Sequence, residues 1–172
     1  MAFSASQEAL KHALRTAFTD LEKVAEKFKD SVDKDKLGVK LRTRSRNIPT
    51  LMFDTGLLPT LTFLWAKAGN ETYAKIYNLL EKGASHSKKD AQGSKEEKAP
   101  SLEELSYSLY LYGVLKFMEA KRLIKNTSDP KNAVDELVEK GATAIVTSLR
   151  VLEPYLIELK KLCEAAYEEE RE

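Results

Sequence analysis

Five basic side chains within an eleven-residue window are the strongest candidates for chemistry in this sequence. No Asp or Glu follows them until Asp54. On a helix, positions four residues apart share one face, so the five form two ridges: Lys36, Lys40 and Arg44, and Arg42 with Arg46. Ammonium and guanidinium groups arranged in this way can contact nucleic-acid phosphates without reading the base sequence.

A run of like charges is most often a solvated helix face with no partner. The other helices of this chain mix acids with bases, as at Glu22-Lys23 and Glu26-Lys27. The basic window differs from them, because Asp35 is its only near neighbour able to pair. We therefore predict a phosphate-contacting surface on this helix, with no compensating acid on its cationic side.

The remaining reactive residue types form no recognisable site. Neither His12 nor His86 has a second histidine or a Glu-x-x-His partner, which does not support a di-iron bundle. We interpret both as surface or packed side chains, and Cys163 as a small buried thiol. The sequence has no glycine-rich phosphate loop, zinc-ligand spacing or Gly-x-Ser-x-Gly motif. We expect a protein that is not an enzyme and that has no metal or cofactor.

The composition is typical of one globular domain. The 172 residues are 42% apolar and 32% charged, so the chain can bury a sizeable core. The net charge is only +1, so a surface that binds nucleic acid would have to come from local clustering of basic residues. One cysteine, no membrane-length apolar run and no signal-peptide pattern favour the cytoplasm. We expect a single domain over residues 1–172, and richness in Lys and Glu leans towards a thermophile.

Apolar spacing of three and four residues predicts helices, and no stretch alternates like a strand. The first helix begins after a cap at Ser4 or Ser6. Its apolar stripe indicates one buried face over several turns and comprises Leu10, Leu14, Ala17, Phe18, Leu21, Val24, Ala25 and Phe28.

The basic window lies on a second predicted helix, which starts near Asp33 or Asp35 and runs towards Asn47. Pro49 disfavours helical geometry at the preceding residue, so we expect a stop or bend there. A short third helix follows from Pro49 to Asp54. After the break at residues 55–56, residues 57–68 form a helix that is apolar nearly all round, which indicates deep burial.

Residues 83–100 have no large apolar side chain, and we predict a mobile surface loop there. Ser101 and Glu104 then form a capping box for a helix that runs to about Asn126.

The last helical region is predicted from Lys131 to about Glu169, after the start signal Asp129-Pro130. Gly141 and Pro154 can each bend this region, and Pro154 can divide it in two. The predicted fold is therefore an all-α, single-domain, irregular helical bundle of about six or seven helices.

The block NIPTLMFDTGLLPTLTFLWAKA, residues 47–68, resembles the signature of the small helical subunit of the type III-B CRISPR (Cmr) effector complex. In that family a basic helix ends at a Leu-Pro-like step, and an apolar turn and a Thr-Leu-Ala-Phe-Leu helix follow. Ile48-Pro49, Gly56-Leu57-Leu58 and residues 60–64 take these places here. A weaker similarity lies at residues 160–165, where a basic pair precedes the end of the last helix.

The resemblance implies a non-catalytic role in antiviral defence. Such subunits stack on copies of themselves and lie along the duplex of CRISPR RNA and target RNA. They face the backbone ribonuclease subunits and contact the large polymerase-like subunit, while base pairing supplies the specificity. The residues that the resemblance places at the phosphates are Lys40, Arg42, Arg44 and Arg46, with Lys160 and Lys161 adding to that surface.

Two other functions stay open. In a pure protein-interaction scaffold, the arginines would pair with acids of a neighbouring subunit. In a helix-turn-helix DNA regulator, the turn at Thr55-Gly56 would join the two helices of the motif. The helix that follows this turn has no polar face to read bases, which speaks against a regulator.

Overall fold

The computed structural model describes residues 4–82 and 98–171, and all regular elements in these residues are helical. The N-terminal helix has three consecutive parts, which we call α1 (Ala5–Leu14), a π-helical stretch (Arg15–Asp20) and α2 (Leu21–Lys27). The other helices are α3 (Lys34–Thr55), α4 (Leu57–Ala68), α5 (Asn70–Lys82), α6 (Leu102–Ala120), α7 (Pro130–Lys140) and α8 (Ala142–Ala166). The described residues thus form seven continuous helices, which confirms the predicted all-α bundle.

Helix α6 lies at the centre of the bundle. It packs against α3, α4 and α5, and its side chains are buried on most sides, including Tyr110 and Phe117. Helix α4 is buried through Leu57, Leu61 and Leu64, whereas Trp65 is only partly buried and donates to Asn70 at 2.6 Å. Trp65 therefore lies at the rim of the core, so the deep burial expected for residues 57–68 holds only for the inner face of α4.

Several helix ends follow the predicted signals. Ser4 and Gln7 form a reciprocal capping box at the start of α1. The Asp129 carboxylate caps α7, with Pro130 in the first turn. The Ser101 hydroxyl accepts from the Glu104 N–H at 3.1 Å, although the Glu104 carboxylate accepts from Thr72 on α5.

Both internal prolines are accommodated without a break. Pro49 lies inside α3 and Pro154 lies inside α8. Of the stop or bend expected near Ile48, the stop is therefore wrong, as is the separate short helix from Pro49 to Asp54, and Pro154 does not divide the last helix. Proline removes one N–H donor from a helix, but buried Ile48 and Met52 hold α3 against the core on either side of Pro49. The last helical region is divided instead at Gly141, whose φ of 90° suits glycine.

Helix α6 ends at Ala120, six residues before the expected end near Asn126. Arg122 adopts a left-handed φ of 60°, and the Leu123 N–H bonds back to the Met118 carbonyl at 2.9 Å. This is the termination that satisfies the last carbonyls of a helix. The loop predicted at residues 83–100 lies outside the described residues, except for residues 98–100.

The N-terminal helix buries the predicted stripe only in its later part. Ala17, Leu21, Val24 and Ala25 are buried as predicted, whereas Leu10 and Leu14 are 38% and 42% exposed and the inner face there is formed by Ala9 and Ala13. Alanines allow close approach to α8, and the π-helical stretch shifts the register that follows. Within the described residues, no helix is long and apolar enough to span a membrane.

Candidate nucleic-acid interface

The rotation of α3 is fixed by the residues that it buries. The Asp33 carboxylate caps the helix by accepting from the Asp35 N–H at 2.8 Å. Leu37, Leu41 and Ile48 then lie in the core. Because these three residues set the inner face, the cations between them fall on two flanks, one towards α6 and the other towards the segment after α8.

Arg44 faces α6 and lies in the interior. The residue is 9% exposed, and its guanidinium forms an ion pair with Glu103. Its Nε lies 3.4 Å from the Ser106 hydroxyl, and its guanidinium carbon lies 3.9 Å from the centre of the Tyr107 ring. A planar guanidinium stacked and paired in this way fixes helix packing. Arg44 is therefore a poor candidate for a phosphate contact.

Lys40 lies on the same flank and shares the Glu103 carboxylate. Its Nζ is 2.7 Å from Glu103 Oε1 and also pairs with Glu170, and the side chain is 21% exposed. Hydrogen bonds to these two carboxylates raise the pKa of Lys40 above its usual value. Lys40 thus stays charged, but two internal acids already hold that charge.

Arg42 lies on the other flank and contacts main-chain oxygens. Its Nη1 donates to the Tyr167 carbonyl at 2.7 Å and to the Glu164 carbonyl at 3.2 Å. These carbonyls lie at the C-terminus of α8, where the helix dipole favours a cation. Because both acceptors are formally neutral, the positive charge of Arg42 is not cancelled by them.

Arg46 lies one turn beyond Arg42 and is open to solvent. Its Nη1 is 2.7 Å from Glu169 Oε1, and the two side chains are 56% and 65% exposed. An exposed ion pair of this kind contributes little to stability. A cleft of about 430 Å³ lies beside this pair and is lined by Arg42, Thr43, Arg46, Asn47, Glu169, Glu170 and Arg171.

Lys160 and Lys161 are exposed on α8. Lys160 lies one turn before Glu164, whose carbonyl accepts from Arg42. Lys161 pairs with Glu158 at 3.3 Å, and its side chain is 65% exposed. Both lysines therefore project their charge into solvent from the helix that packs against α3.

The acids that pair with α3 were missed by sequence reasoning. Glu103 reaches Arg44 across 59 residues of chain, and Glu170 reaches Thr43 across 127. The expectation of a cationic side without compensating acid is therefore wrong. Only the spacing of Arg44, three residues after Leu41 and four before Ile48, signals in the sequence that this arginine faces inward.

His12 and Cys163 are packed side chains, as interpreted from the sequence. The His12 ring meets Phe117 edge-on at 5.3 Å, and burial lowers its pKa. Cys163 is buried, and burial raises its thiol pKa to about 12. His86 lies outside the described residues. No cluster of three or more potential metal ligands occurs in the part of the chain that the structure describes.

Known proteins resemble this chain in sequence and in fold. A curated relative, the CRISPR system CMR subunit Cmr5 of Saccharolobus solfataricus, is 29% identical over 134 residues, which are 75% of this chain and 80% of the relative. A chain from the cryo-EM structure of a type III-B Cmr-beta complex bound to cognate target RNA and AMPPnP has a TM-score of 0.67. It is 18% identical, and the similarity covers 95% of this chain and 99% of that one.

The sequence model of the CRISPR-associated protein family Cas_Cmr5 matches residues 5–129, which span the N-terminal helix to the end of the loop after α6. Lys160 and Lys161 lie beyond this match. The match covers more than half of the chain and includes the whole of α3. The chain therefore belongs to the CRISPR-associated Cmr5 family.

Proposed function

We propose that this chain is a non-catalytic subunit of an RNA-guided type III-B CRISPR ribonucleoprotein in antiviral defence. In this role it contacts the sugar–phosphate backbone of the duplex between CRISPR RNA and target RNA. Its protein partners are copies of itself, the backbone ribonuclease subunits and the large polymerase-like subunit. Support comes from the Cmr5 family membership and from the similar fold of a chain in a Cmr-beta complex bound to target RNA.

The way in which the Arg42 guanidinium is hydrogen-bonded is the observation that best supports a phosphate contact. In the described part of the chain its guanidinium is held by carbonyl oxygens and not by a carboxylate. Its orientation is thus fixed while its charge stays available. Phosphate contacts of this kind set the position of a protein on RNA and leave sequence recognition to base pairing.

The candidate cations divide into two roles. Arg42, Arg46, Lys160 and Lys161 contact phosphates in this proposal: the two arginines lie on adjacent turns of α3, and the two lysines are exposed on α8, which packs against α3. Lys40 and Arg44 position α3 on α6 through Glu103. The proposed surface is therefore narrower than the one expected from sequence, and it centres on the flank that faces the end of α8.

Crosslinking within the assembled complex tests this function. The complex would be reconstituted with target RNA that carries 4-thiouridine, irradiated and digested for peptide mapping. We expect crosslinked peptides from α3 around Arg42 and Arg46 and from the end of α8. Crosslinks confined to other subunits would contradict the proposal.

A second function, a pure protein-interaction scaffold, is favoured by the carboxylates that α3 already binds. Glu169 pairs with Arg46 at the surface, so an acidic patch on a neighbouring subunit could take the same place. R46E would then block assembly with purified partner subunits. In any complex that still forms, RNA crosslinking to the peptides of α3 would be as strong as in the unmodified complex.

A further inference from the structure

We infer that residues 168–171 form an acidic strap that occupies the phosphate-contacting side of α3 in the free subunit and gives way when RNA binds. The strap carries Glu168, Glu169 and Glu170 next to one another. This inference rests on the proposed function and deepens it, because it identifies what the cations of α3 hold before RNA arrives.

The strap begins at a residue built into the fold. Helix α8 ends at Ala166, and Tyr167 takes extended backbone angles that turn the chain away from the helix axis. The Tyr167 ring lies over Gly38 so closely that a Cβ added to Gly38 would overlap it. Its hydroxyl donates to the Ala17 carbonyl. Tyr167 therefore anchors the start of the strap between α3 and the N-terminal helix.

Beyond this anchor, the strap acids bind donors of α3 one after another. Glu170 pairs with Lys40 through one oxygen and accepts from the Thr43 hydroxyl at 2.9 Å through the other. Glu169 pairs with Arg46 at 2.7 Å. These donors lower the pKa of Glu170 below its usual value. The Glu169 carboxylate thus takes the position that a phosphate oxygen would need at Arg46, and Glu170 holds the strap in place beside it.

The strap contacts are of the kind that a polyanion can replace. The Glu169 side chain is 65% exposed and that of Glu170 is 38% exposed, so water and salt screen both pairs. RNA offers many phosphates in a row and gains affinity from the release of its counterions. The anchor at Tyr167 can stay in place while the acids beyond it leave.

An internal competitor of this kind lowers the apparent affinity for RNA, because only the open fraction of molecules binds. It also reduces indiscriminate contact of the free subunit with cellular RNA. A guide–target duplex held in an assembled complex presents its phosphates at high local concentration and would displace the strap there. The strap therefore weakens RNA binding by the free subunit more than RNA binding in the assembled complex.

The test measures binding of a fluorescent 20-nucleotide uridine RNA to the full chain by anisotropy over a salt series. Two variants remove the strap charges: one ends at Tyr167 with an amidated C-terminus, so that no new carboxylate lies beside Arg42, and the other is E169Q/E170Q. The matched control E26Q/E139Q also removes two exposed carboxylates, but these lie on α2 and α7, away from the strap. R42A/R46A is measured alone and combined with the truncation.

We expect both strap variants to bind the RNA about two- to threefold more tightly than the control variant, because an exposed pair holds Arg46 in only part of the molecules. The log–log salt slope should steepen by about 0.7, since Arg46 is the phosphate-contacting cation that both variants set free. If E169Q/E170Q binds no more tightly than E26Q/E139Q while R42A/R46A still flattens the slope, the strap is refuted and the proposed function stands. If R42A/R46A leaves the slope unchanged even in the truncated chain, the proposed function itself is refuted.

Discussion

Arg44 and Arg46 are two residues apart on α3, yet they have opposite surroundings. Arg44 is 9% exposed and lies between Glu103, Ser106 and the Tyr107 ring. The Arg46 side chain is 56% exposed and holds one equally exposed carboxylate, that of Glu169. The two arginines look alike in the sequence, but one fastens two helices and the other is free to exchange its partner. The number of basic residues on a helix is therefore a poor guide to the charge that it offers to a ligand.

The largest expected effect is the difference in the free energy of unfolding between the variants R44A and R46A. R44A removes a stacked, buried side chain and leaves Glu103 paired with Lys40 alone, so it should lower the free energy of unfolding by about 2–3 kcal/mol. R46A removes an exposed pair and should cost less than about 0.5 kcal/mol. Urea unfolding of both variants measures the difference. Equal costs would remove the distinction between the two flanks.

A buried acid that forms no ion pair with any residue the structure describes makes stability depend on pH. Asp20 is 5% exposed, and burial raises its pKa from 3.8 to about 6, partly opposed by Arg15 and Lys23. The unfolded chain releases this proton near pH 4 and the folded chain near pH 6. The folded state therefore loses stability as the pH rises between these values, by at most about 3 kcal/mol.

D20N should remove that loss. Relative to the unmodified protein, the variant should gain about 2 kcal/mol at pH 7.5 and almost nothing at pH 4. Urea unfolding at the two pH values measures the gain, and taking the difference cancels the other titrating groups that the two proteins share. A gain that is the same at both pH values would show that Asp20 does not titrate as described.

Substitution of Gly38 tests whether the Tyr167 ring anchors the strap on α3. A methyl group at this position would overlap the Tyr167 ring, so G38A should lower stability by about 1–2 kcal/mol. The double variant G38A/Y167A should recover part of this loss, since the ring is then absent. If G38A is as stable as the unmodified protein, the ring does not need the space at Gly38.

The smallest effect is the coupling between Arg46 and Glu169. A double-mutant cycle with R46A and E169A should give less than about 0.5 kcal/mol, and 1 M salt should abolish it. The same cycle on Arg44 and Glu103 should give a larger coupling that persists in salt, because that pair is less exposed to solvent. Similar salt sensitivity of both cycles would contradict the assignment of the two flanks.

Local signals predicted much of the fold. The cap at Asp129, the break at Gly56 and the helix over residues 57–68 follow from neighbouring residues, and the structure has all three. Pro49 and Pro154 were misjudged because a proline breaks a helix only where packing does not hold both sides. On the N-terminal helix, a π-helical stretch altered the register that a constant period of 3.6 residues assumes.

The interface was less predictable than the fold. The basic residues could be found from their types, and the burial of Arg44 could have been found from its spacing relative to Leu41 and Ile48. The acids Glu103 and Glu170 could not, because tertiary packing alone brings them to α3 from the N-terminus of α6 and from beyond α8. Charge compensation over such distances leaves no periodic trace in the sequence.

The salt dependence of RNA binding tests the central claim most directly. R42A/R46A is compared with K29A/K131A, which removes two lysines outside α3 and α8 whose side chains are 67% and 61% exposed. We expect R42A/R46A to flatten the log–log slope by about 1.4, which corresponds to two lost phosphate contacts with a single strand, and K29A/K131A to leave the slope nearly unchanged. Equal slopes for the two double variants and the unmodified protein would contradict the assignment of this flank of α3 as the surface that contacts phosphate.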